Sequence, residues 1–497
     1  MTVARVPWTA TEEATVARVD TRLHLGGRWQ GAHGGARFTV SNPATGEPLA
    51  EVADAGPRDA GLALDAAVEA APSWARTPTR ERAEILRRAY ELVVSRADDL
   101  ALVMTAEMGK PLAESRAEVT YGAEFLRWFS EEAPRVAGRS LVVPEGTNRV
   151  VTHRRPVGPC LLVTPWNFPL AMGTRKIAPA LAAGCTVILK PASLTPLTSH
   201  LLVQLLVEAG VPDGVVNLLP TSRSGPATAP LFDDPRLRKL SFTGSTEVGA
   251  TLLAQAAPYV LRTSMELGGN APFLVLEDAD LDAAVDGAVV AKLRNGGEAC
   301  TSANRFLVHT SLAPAFAQRL TERFGALRVG DGRAEGVELG PLVDAAAVEK
   351  VADLVDDAVA RGATVLTGGQ RLEGPGGFYA PTVLTDVPPA ARLLSEEIFG
   401  PVAPITTFST EQEAVAAANA TPFGLISYAY TQDLARGQRL AETLESGMVA
   451  INTGIVSNAA APFGGIKHSG LGREGAVEGI DEYLSTVAVS TPDPFAT

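Results

Sequence analysis

Cys300 is the residue around which chemistry can be built. It stands in the run Arg294-Asn295-Gly296-Gly297-Glu298-Ala299-Cys300-Thr301-Ser302-Ala303-Asn304, a thiol set among small and polar residues and outside any apolar stretch. A free thiol is only a few per cent ionised at neutral pH. The neighbouring glycines matter because they let backbone N–H groups approach a negative charge developing beside the sulfur. A buried structural cysteine is the competing reading, and the company Cys300 keeps turns it toward a nucleophile. Upstream, Met265-Glu266-Leu267-Gly268-Gly269-Asn270 offers a carboxylate flanked by glycines. A thiol that forms an acyl intermediate needs such a base to activate the water that releases it.

A chain of 497 residues exceeds one core; its length points to about three domains and room for a deep cleft between them. Hydrophobic residues make up 46% and charged residues 20%, and 43 Lys plus Arg against 56 Asp plus Glu leave a net charge of −13. That balance argues against a nucleic-acid or anionic-membrane partner while allowing a local basic pocket for a phosphate or carboxylate. The three cysteines, Cys160, Cys185 and Cys300, form neither a disulfide framework nor a metal cluster. A reducing cytoplasm and no metal are therefore expected. The segment Met1-Thr2-Val3-Ala4-Arg5-Val6-Pro7-Trp8 lacks a continuous apolar core, and no stretch approaches the ~18 uncharged apolar residues that span a bilayer. The chain reads as soluble and unprocessed.

The elements that must position these groups follow in order. Residues up to about 22 read as a loose arm, with order beginning near Leu23. Gly26-Gly27-Arg28-Trp29 and Asn42-Pro43-Ala44-Thr45-Gly46-Glu47 read as hairpin turns. From residue 57 to about 137, apolar residues recur at three and four positions, which predicts helices burying one stripe. Between residues 151 and 267 the pattern becomes alternating strands and helices. Cys160-Leu161-Leu162-Val163 and Cys185-Thr186-Val187-Ile188-Leu189-Lys190 are apolar runs suited to a parallel sheet, and Thr195-Pro196 reads as the cap and first turn of the next helix. A doubly wound nucleotide-binding sheet is the expected fold here. A second αβ series after Gly269 carries Cys300, and a final edge strand is expected from about Ile480 to Val489.

Two glycine patterns invite other readings. Gly244 to Gly249 has P-loop spacing without the Lys-Ser/Thr that follows in one. Gly470-Leu471-Gly472-Arg473-Glu474-Gly475 matches a dinucleotide fingerprint letter for letter, but no strand precedes it and too little chain follows; it reads as a turn.

Thr164-Pro165-Trp166-Asn167-Phe168-Pro169 follows the Cys160 strand at its carboxyl end, where open α/β sheets bind ligands. With Lys190-Pro191-Ala192-Ser193, Phe242-Thr243-Gly244-Ser245, Glu266 to Asn270, Cys300 and Glu397-Ile398-Phe399-Gly400-Pro401-Val402, the order and spacing resemble the aldehyde dehydrogenase superfamily from about residue 23 onward. The resemblance implies an α/β fold with three regions. These are a dinucleotide-binding domain (1–137 and 151–267), a catalytic domain (268–470) and a small β oligomerisation arm (138–150 and 471–497), in a homodimer or homotetramer.

The resemblance also implies roles. The Cys300 thiolate attacks an aldehyde carbon, the Asn167 amide and the Cys300 N–H hold the oxyanion, hydride leaves to a nicotinamide, and Glu266 activates water to hydrolyse the thioester. Trp166, Lys190, Ser193, Gly244, Ser245, Leu267, Glu397 and Phe399 make the cofactor site. Where many NAD-preferring relatives carry a glutamate, Ser193 removes the repulsion of a 2′-phosphate; with Lys190 as cation this predicts NADP as the preferred cofactor and NAD as a second.

Within the superfamily the chain is most similar to succinate-semialdehyde dehydrogenases, through Gly173-Thr174-Arg175-Lys176, Arg294, and Ser457-Asn458 ahead of Pro462-Phe463-Gly464-Gly465. Arg175 and Arg294 would clamp the substrate's far carboxylate, with Ser457 adding a hydrogen bond. Glutarate semialdehyde or another aldehyde is the alternative substrate. A catalytically silent relative would lack Cys300, Glu266 or Asn167, and all three are present. Some members of the group pair the nucleophile with a second cysteine two residues on, where this chain has Ser302; no redox switch is expected there.

Overall fold

The computed structural model describes residues 3–496; Met1, Thr2 and Thr497, which the expected boundaries include, lie outside the described residues. Its first sheet has the parallel strands Arg262–Glu266, Lys239–Thr243, Cys160–Val163, Val187–Lys190 and Val216–Leu218 side by side in that order. They are short apolar runs because helices cover both faces, so nearly every side chain in them is buried. Leu23–Leu25 and Arg28–Gln30 extend one edge as a hairpin, and Gly470–Leu471 extends the other. The helices Pro57–Arg76, Thr79–Ser95, Ala97–Met108 and Leu112–Glu132 account for the periodic region 57–137. They bury Leu64, Trp74, Leu86, Val93, Met104, Phe125 and Phe129, each worth roughly 1.5–3 kcal/mol of transfer free energy.

The second sheet runs Thr364–Thr367, Thr382–Thr385, Val402–Phe408, Ala303–His309, Ala271–Val275, Ile426–Tyr430, Met448–Ile451, all parallel except the first. The chain crosses from Glu266 in the first sheet to Ala271 in the second through four residues, Leu267, Gly268, Gly269 and Asn270. A third sheet joins Ser140–Val142, Asn148–Pro156 and Leu484–Pro492, the last two antiparallel over their whole length.

Four local expectations differ from the structure. The N-terminal segment is not a loose arm: Ala10–Ala17 is a helix closed by a capping box between Thr9 and Glu12. Thr195 does not cap the helix Leu197–Glu208, since its hydroxyl donates to the Trp166 carbonyl at 3.0 Å; the Glu107 carboxylate accepts from Leu197 N and Thr198 N at 2.7 and 2.8 Å. Residues 476–481 are helical, and the last strand starts at Leu484 instead of Ile480. Finally, the stretch read as a turn at 470–475 begins with an edge strand, Gly470 pairing with Glu266.

Candidate active site

Strand register places the chemistry. Val163 pairs with Lys190 on one side and Phe242 on the other, and Thr243 pairs with Glu266. All these strands are parallel, so Thr164 to Asn167, Lys190, Gly244, Ser245, Glu266 and Leu267 emerge at one carboxyl edge. Cys160–Val163 sits where the chain reverses its direction of winding, with the next strands added on one side and the later pair on the other. That is the crevice in which a doubly wound sheet binds its ligand. The second sheet meets this edge with its amino ends: Gly269 precedes Ala271–Val275, Cys300 precedes Ala303–His309, and Glu397 and Phe399 precede Val402–Phe408.

A cavity of about 230 Å³ lies between the two edges, lined by Trp166, Asn167, Arg175, Gly244, Ser245, Leu267, Arg294, Cys300, Glu397, Phe399 and Ser457 among the residues singled out in the sequence. Glu266, Lys190 and Ser193 do not line it. Ser193 opens instead onto a neighbouring depression with Asn42, Glu107 and Asp344. Trp166 and Phe399 meet edge to face, 5.4 Å between ring centroids. Phe399 holds a left-handed backbone, φ 56°, a costly conformation for a bulky residue that clusters at functional sites.

The turn carrying Cys300 is built by its sequence. Asn295, Gly296 and Gly297 all have positive φ (57°, 65° and 79°), a succession that asparagine and glycine tolerate best. Glu114 accepts from Asn295 N at 2.7 Å, and the Glu298 carbonyl accepts from both Asn295 Nδ2 at 3.0 Å and Asn167 Nδ2 at 2.9 Å. Asn167 is thus aimed at the turn by its side chain. A Cβ on Gly269 would collide with the Cys300 carbonyl oxygen, so the glycine lets the two loops touch. Asn304 locks the far loop by donating to Asn270 Oδ1 at 2.7 Å and accepting from Ile398 N at 3.0 Å. Burial pushes the Cys300 thiol up to about 12, against the lowering influence of Arg175 and Arg294. At rest it is a neutral thiol.

Glu266 ends its strand 2% exposed, with Oε2 buried and unpaired. Burial, then the nearby Glu474, raise its pKa well above the ordinary glutamate value, while Arg175, Lys176 and Arg473 pull it down. Glu474 itself bridges Arg175 and Lys176 through its two oxygens. Burial alone would raise Glu474, but Lys176 and Arg175 hold it below the usual value.

In the cavity wall Arg294 Nη1 donates to the Ser457 hydroxyl at 3.1 Å. Arg175 reaches the Tyr121 hydroxyl from Nη1 at 3.4 Å, and its Nη2 is buried without a partner. The aromatic rings of Phe463, Phe168 and Tyr121 lie 4.0, 5.1 and 5.6 Å from one or other guanidinium. A chamber lined by two guanidinium groups and a thiol suits a short molecule that carries both an anion and a reactive carbonyl.

The residues above also fit a dinucleotide. Ser245 caps the helix Thr246–Ala256, whose N-terminus faces the crevice and favours an anion. Glu397, pushed up to about 7 by burial against a hydrogen bond from Gly269 N at 3.1 Å, lines the chamber beside Phe399. Lys190 is 6% exposed and lowered by burial to about 8, and its ammonium has no hydrogen-bond or ion-pair partner among the described residues, as a cation reserved for an anionic ligand would be. No group of three His, Cys, Asp or Glu able to hold a metal occurs among the described residues.

Sequence reasoning missed Tyr121, Phe168, Phe463 and Lys350 in the lining, and Lys176 and Glu474 behind the base. Tyr121 sits within the helical stripe that reads as core, and Glu474 sits in the glycine stretch that reads as a turn. Only the separation of Lys176 from the apolar pattern of its own helix offered a signal.

The family model described as "Aldehyde dehydrogenase family" matches residues 29–489. A succinate-semialdehyde dehydrogenase of Paenarthrobacter nicotinovorans is 59% identical over 447 residues, 90% of this chain and 99% of the relative. A glutarate-semialdehyde dehydrogenase of Pseudomonas putida is 48% identical over 463 residues, 93% of this chain and 96% of the relative. Among solved structures, an E. coli NADP dependent enzyme superposes with a TM-score of 0.94 at 46% identity, covering 96% of this chain and 98% of that one.

Proposed function

The chain belongs to the aldehyde dehydrogenase family, and from that premise we propose that it oxidises succinic semialdehyde to succinate, with NADP as the preferred hydride acceptor and NAD as a second. The observation that carries the substrate is that Arg294, paired with Ser457, and Arg175 line the same chamber as Cys300. A four-carbon aldehyde with a terminal carboxylate can offer its anion to the guanidiniums and its carbonyl to the thiol in that one chamber.

Cys300 is the nucleophile. Its proton must pass to solvent before attack, and the Arg175 and Arg294 charges favour the thiolate that remains. The sulfur then bonds to the aldehyde carbon, and the oxygen becomes an anion facing the Asn167 amide and the Cys300 N–H. When bound, the dinucleotide supplies the acceptor for the hydride, whose loss leaves a thioester on Cys300. Glu266 next takes a proton from water, the hydroxyl adds to the thioester carbon, and the thiolate departs as the acid forms. Trp166, Gly244, Ser245, Leu267, Glu397 and Phe399 would hold the nicotinamide half, and Lys190 with Ser193 the 2′-phosphate. Ser193 carries no charge to repel that phosphate, and the lone Lys190 would attract it.

The expected boundaries shift with the sheets, because Asn148–Pro156 is one strand of the third sheet and Gly470–Leu471 joins the first; we assign residues up to 137, 157–267 and 470–471 to cofactor binding, 268–469 to catalysis, and 138–156 with 484–492 to an arm that joins subunits of a homodimer or homotetramer. Exposed Leu141, Val142, Val151 and Val489 on the third sheet support that pairing. No helix among the described residues is long and apolar enough to cross a membrane; the acidic balance and sparse cysteines support a cytoplasmic enzyme without a nucleic-acid partner. An absorbance assay of reduced nicotinamide with succinic semialdehyde, glutarate semialdehyde and butanal, each with NADP and NAD, tests the reading. Succinic semialdehyde with NADP is expected to give the highest kcat/KM. A higher value for glutarate semialdehyde would move the assignment to the five-carbon substrate, and one for butanal would remove the clamp.

A further inference from the structure

Arg175 lines the chamber that holds Cys300 and also belongs to the charged cluster around Glu266. Its Nε is committed to Glu474, its Nη1 leans on Tyr121, and its face covers the Phe463 ring, while Nη2 remains buried and free. Glu474 also holds Lys176. Glu266 keeps Oε2 buried and free in the same neighbourhood, and no ion pair joins it to any cation among the described residues. The charged and titratable groups facing Glu266 come from three elements. Arg175 and Lys176 belong to the helix Ala171–Ala183, Arg473 and Glu474 to the loop after Gly470–Leu471, and Cys300 to the turn before Ala303–His309. Three cations therefore share one committed anion, Glu474, and whatever charge Glu266 carries. A second anion entering the chamber beside Arg175 competes with an ionised Glu266 for the same positive field, in a site where burial keeps the screening low.

We propose that Arg175 couples substrate recognition to the base: a carboxylate docking in the chamber beside Arg175 makes Glu266 take up a proton from solvent as the ligand binds. This rests on the carboxylate-clamp reading given above. The substrate's charge, and not only its shape, then sets the pH at which the thioester is hydrolysed. By reciprocity the carboxylate binds more tightly as pH falls through the titration of Glu266. A neutral aldehyde of the same length leaves Glu266 unchanged.

Butyrate, which has the carboxylate but no aldehyde, is the probe. Calorimetric titration of the whole enzyme near neutral pH, in phosphate and in Tris, reads the protons exchanged from the difference in apparent enthalpy. Uptake of roughly half a proton per butyrate is expected, vanishing in Glu266→Gln while affinity stays within about threefold. In the wild type, the acid limb of kcat should also lie about one pH unit higher for succinic semialdehyde than for butanal. Binding that depends on Arg175 and Arg294 but exchanges no protons, uptake that persists in Glu266→Gln, or coincident acid limbs would overturn the coupling and leave the clamp intact. Butyrate that does not bind, or binds equally well to Arg175→Ala and Arg294→Ala enzymes, would remove the clamp itself.

Discussion

Arg294 donates from Nη1 to the hydroxyl of Ser457 at 3.1 Å, across 163 residues of sequence, with the Phe168 ring 5.1 Å from its guanidinium carbon. The hydroxyl and the ring fix the plane of the guanidinium, so the fork is oriented before any ligand arrives. A pre-oriented fork loses less entropy on meeting a carboxylate than a free one.

Replacing Arg294 by alanine removes charge-assisted hydrogen bonds worth about 1.5–3 kcal/mol, which is a rise in KM for succinic semialdehyde of roughly 10-fold to 150-fold. Butanal makes no such bonds, so its KM should move by less than about threefold. Equal losses for both substrates in steady-state assays would show that Arg294 only shapes the chamber.

Glu266 must be ionised to take a proton from water, and its pKa is raised by burial and by Glu474. The sign follows: the hydrolytic step is at full rate above the raised pKa and falls as pH drops through it, well above the ordinary glutamate value. Glu266→Gln should keep a pre-steady-state burst of reduced cofactor while the turnover that follows drops by roughly 10²-fold to 10⁴-fold. A variant that lost burst and turnover in the same proportion would place Glu266 before hydride transfer as well.

Lys190 and Ser193 stand outside the reaction chamber, at the end of one strand and in the loop beyond it. Introducing a carboxylate by Ser193→Glu would repel a 2′-phosphate and satisfy Lys190. The ratio of kcat/KM for NADP over NAD should fall by at least about 30-fold, an electrostatic change on the order of 2 kcal/mol. Ratios unchanged in both Ser193→Glu and Lys190→Ala would mean that the phosphate is recognised elsewhere.

The strands of the first sheet were legible because burial on both faces leaves a continuous apolar run such as Cys160–Val163, and the residues at their carboxyl ends could be named from that alone. Cys300 and Glu266 stood out by type and setting, while Asn167 was named only through the resemblance of its motif to the family's. The charge cluster behind the base was not. Lys176 and Glu474 lie 298 residues apart, and a buried ion pair leaves no periodic trace in either segment. The cap of the helix Leu197–Glu208 was hidden for the same reason: a local rule pointed to Thr195, while Glu107 reaches it from another helix. Local chemistry can be read along the chain, but partners brought together by tertiary packing cannot.

Asn167 has a second anchor, apart from the Cys300 turn. Lys110 Nζ donates to Glu118 Oε2 at 2.5 Å and to the Asn167 carbonyl at 2.8 Å, and Glu118 Oε1 accepts from Leu170 N and Ala171 N at 2.9 and 3.1 Å. The pair therefore holds the backbone on both sides of the Asn167-Phe168 corner, and both side chains are only 1% exposed. Lys110→Met alone leaves Glu118 buried without its cation, a loss of about 3–5 kcal/mol, so the melting temperature should fall sharply. The double variant Lys110→Met with Glu118→Gln removes the stranded charge yet keeps an acceptor for Leu170 N and Ala171 N, and stability should largely return. Turnover should not, because nothing then grips the Asn167 carbonyl, and a donor displaced from the oxyanion costs up to about 10²-fold in kcat. Thermal melts paired with kcat for the wild type, single and double variants separate the two effects. If the double variant recovered kcat together with stability, Lys110 would be a structural cation and Asn167 would owe its aim to the Glu298 carbonyl alone.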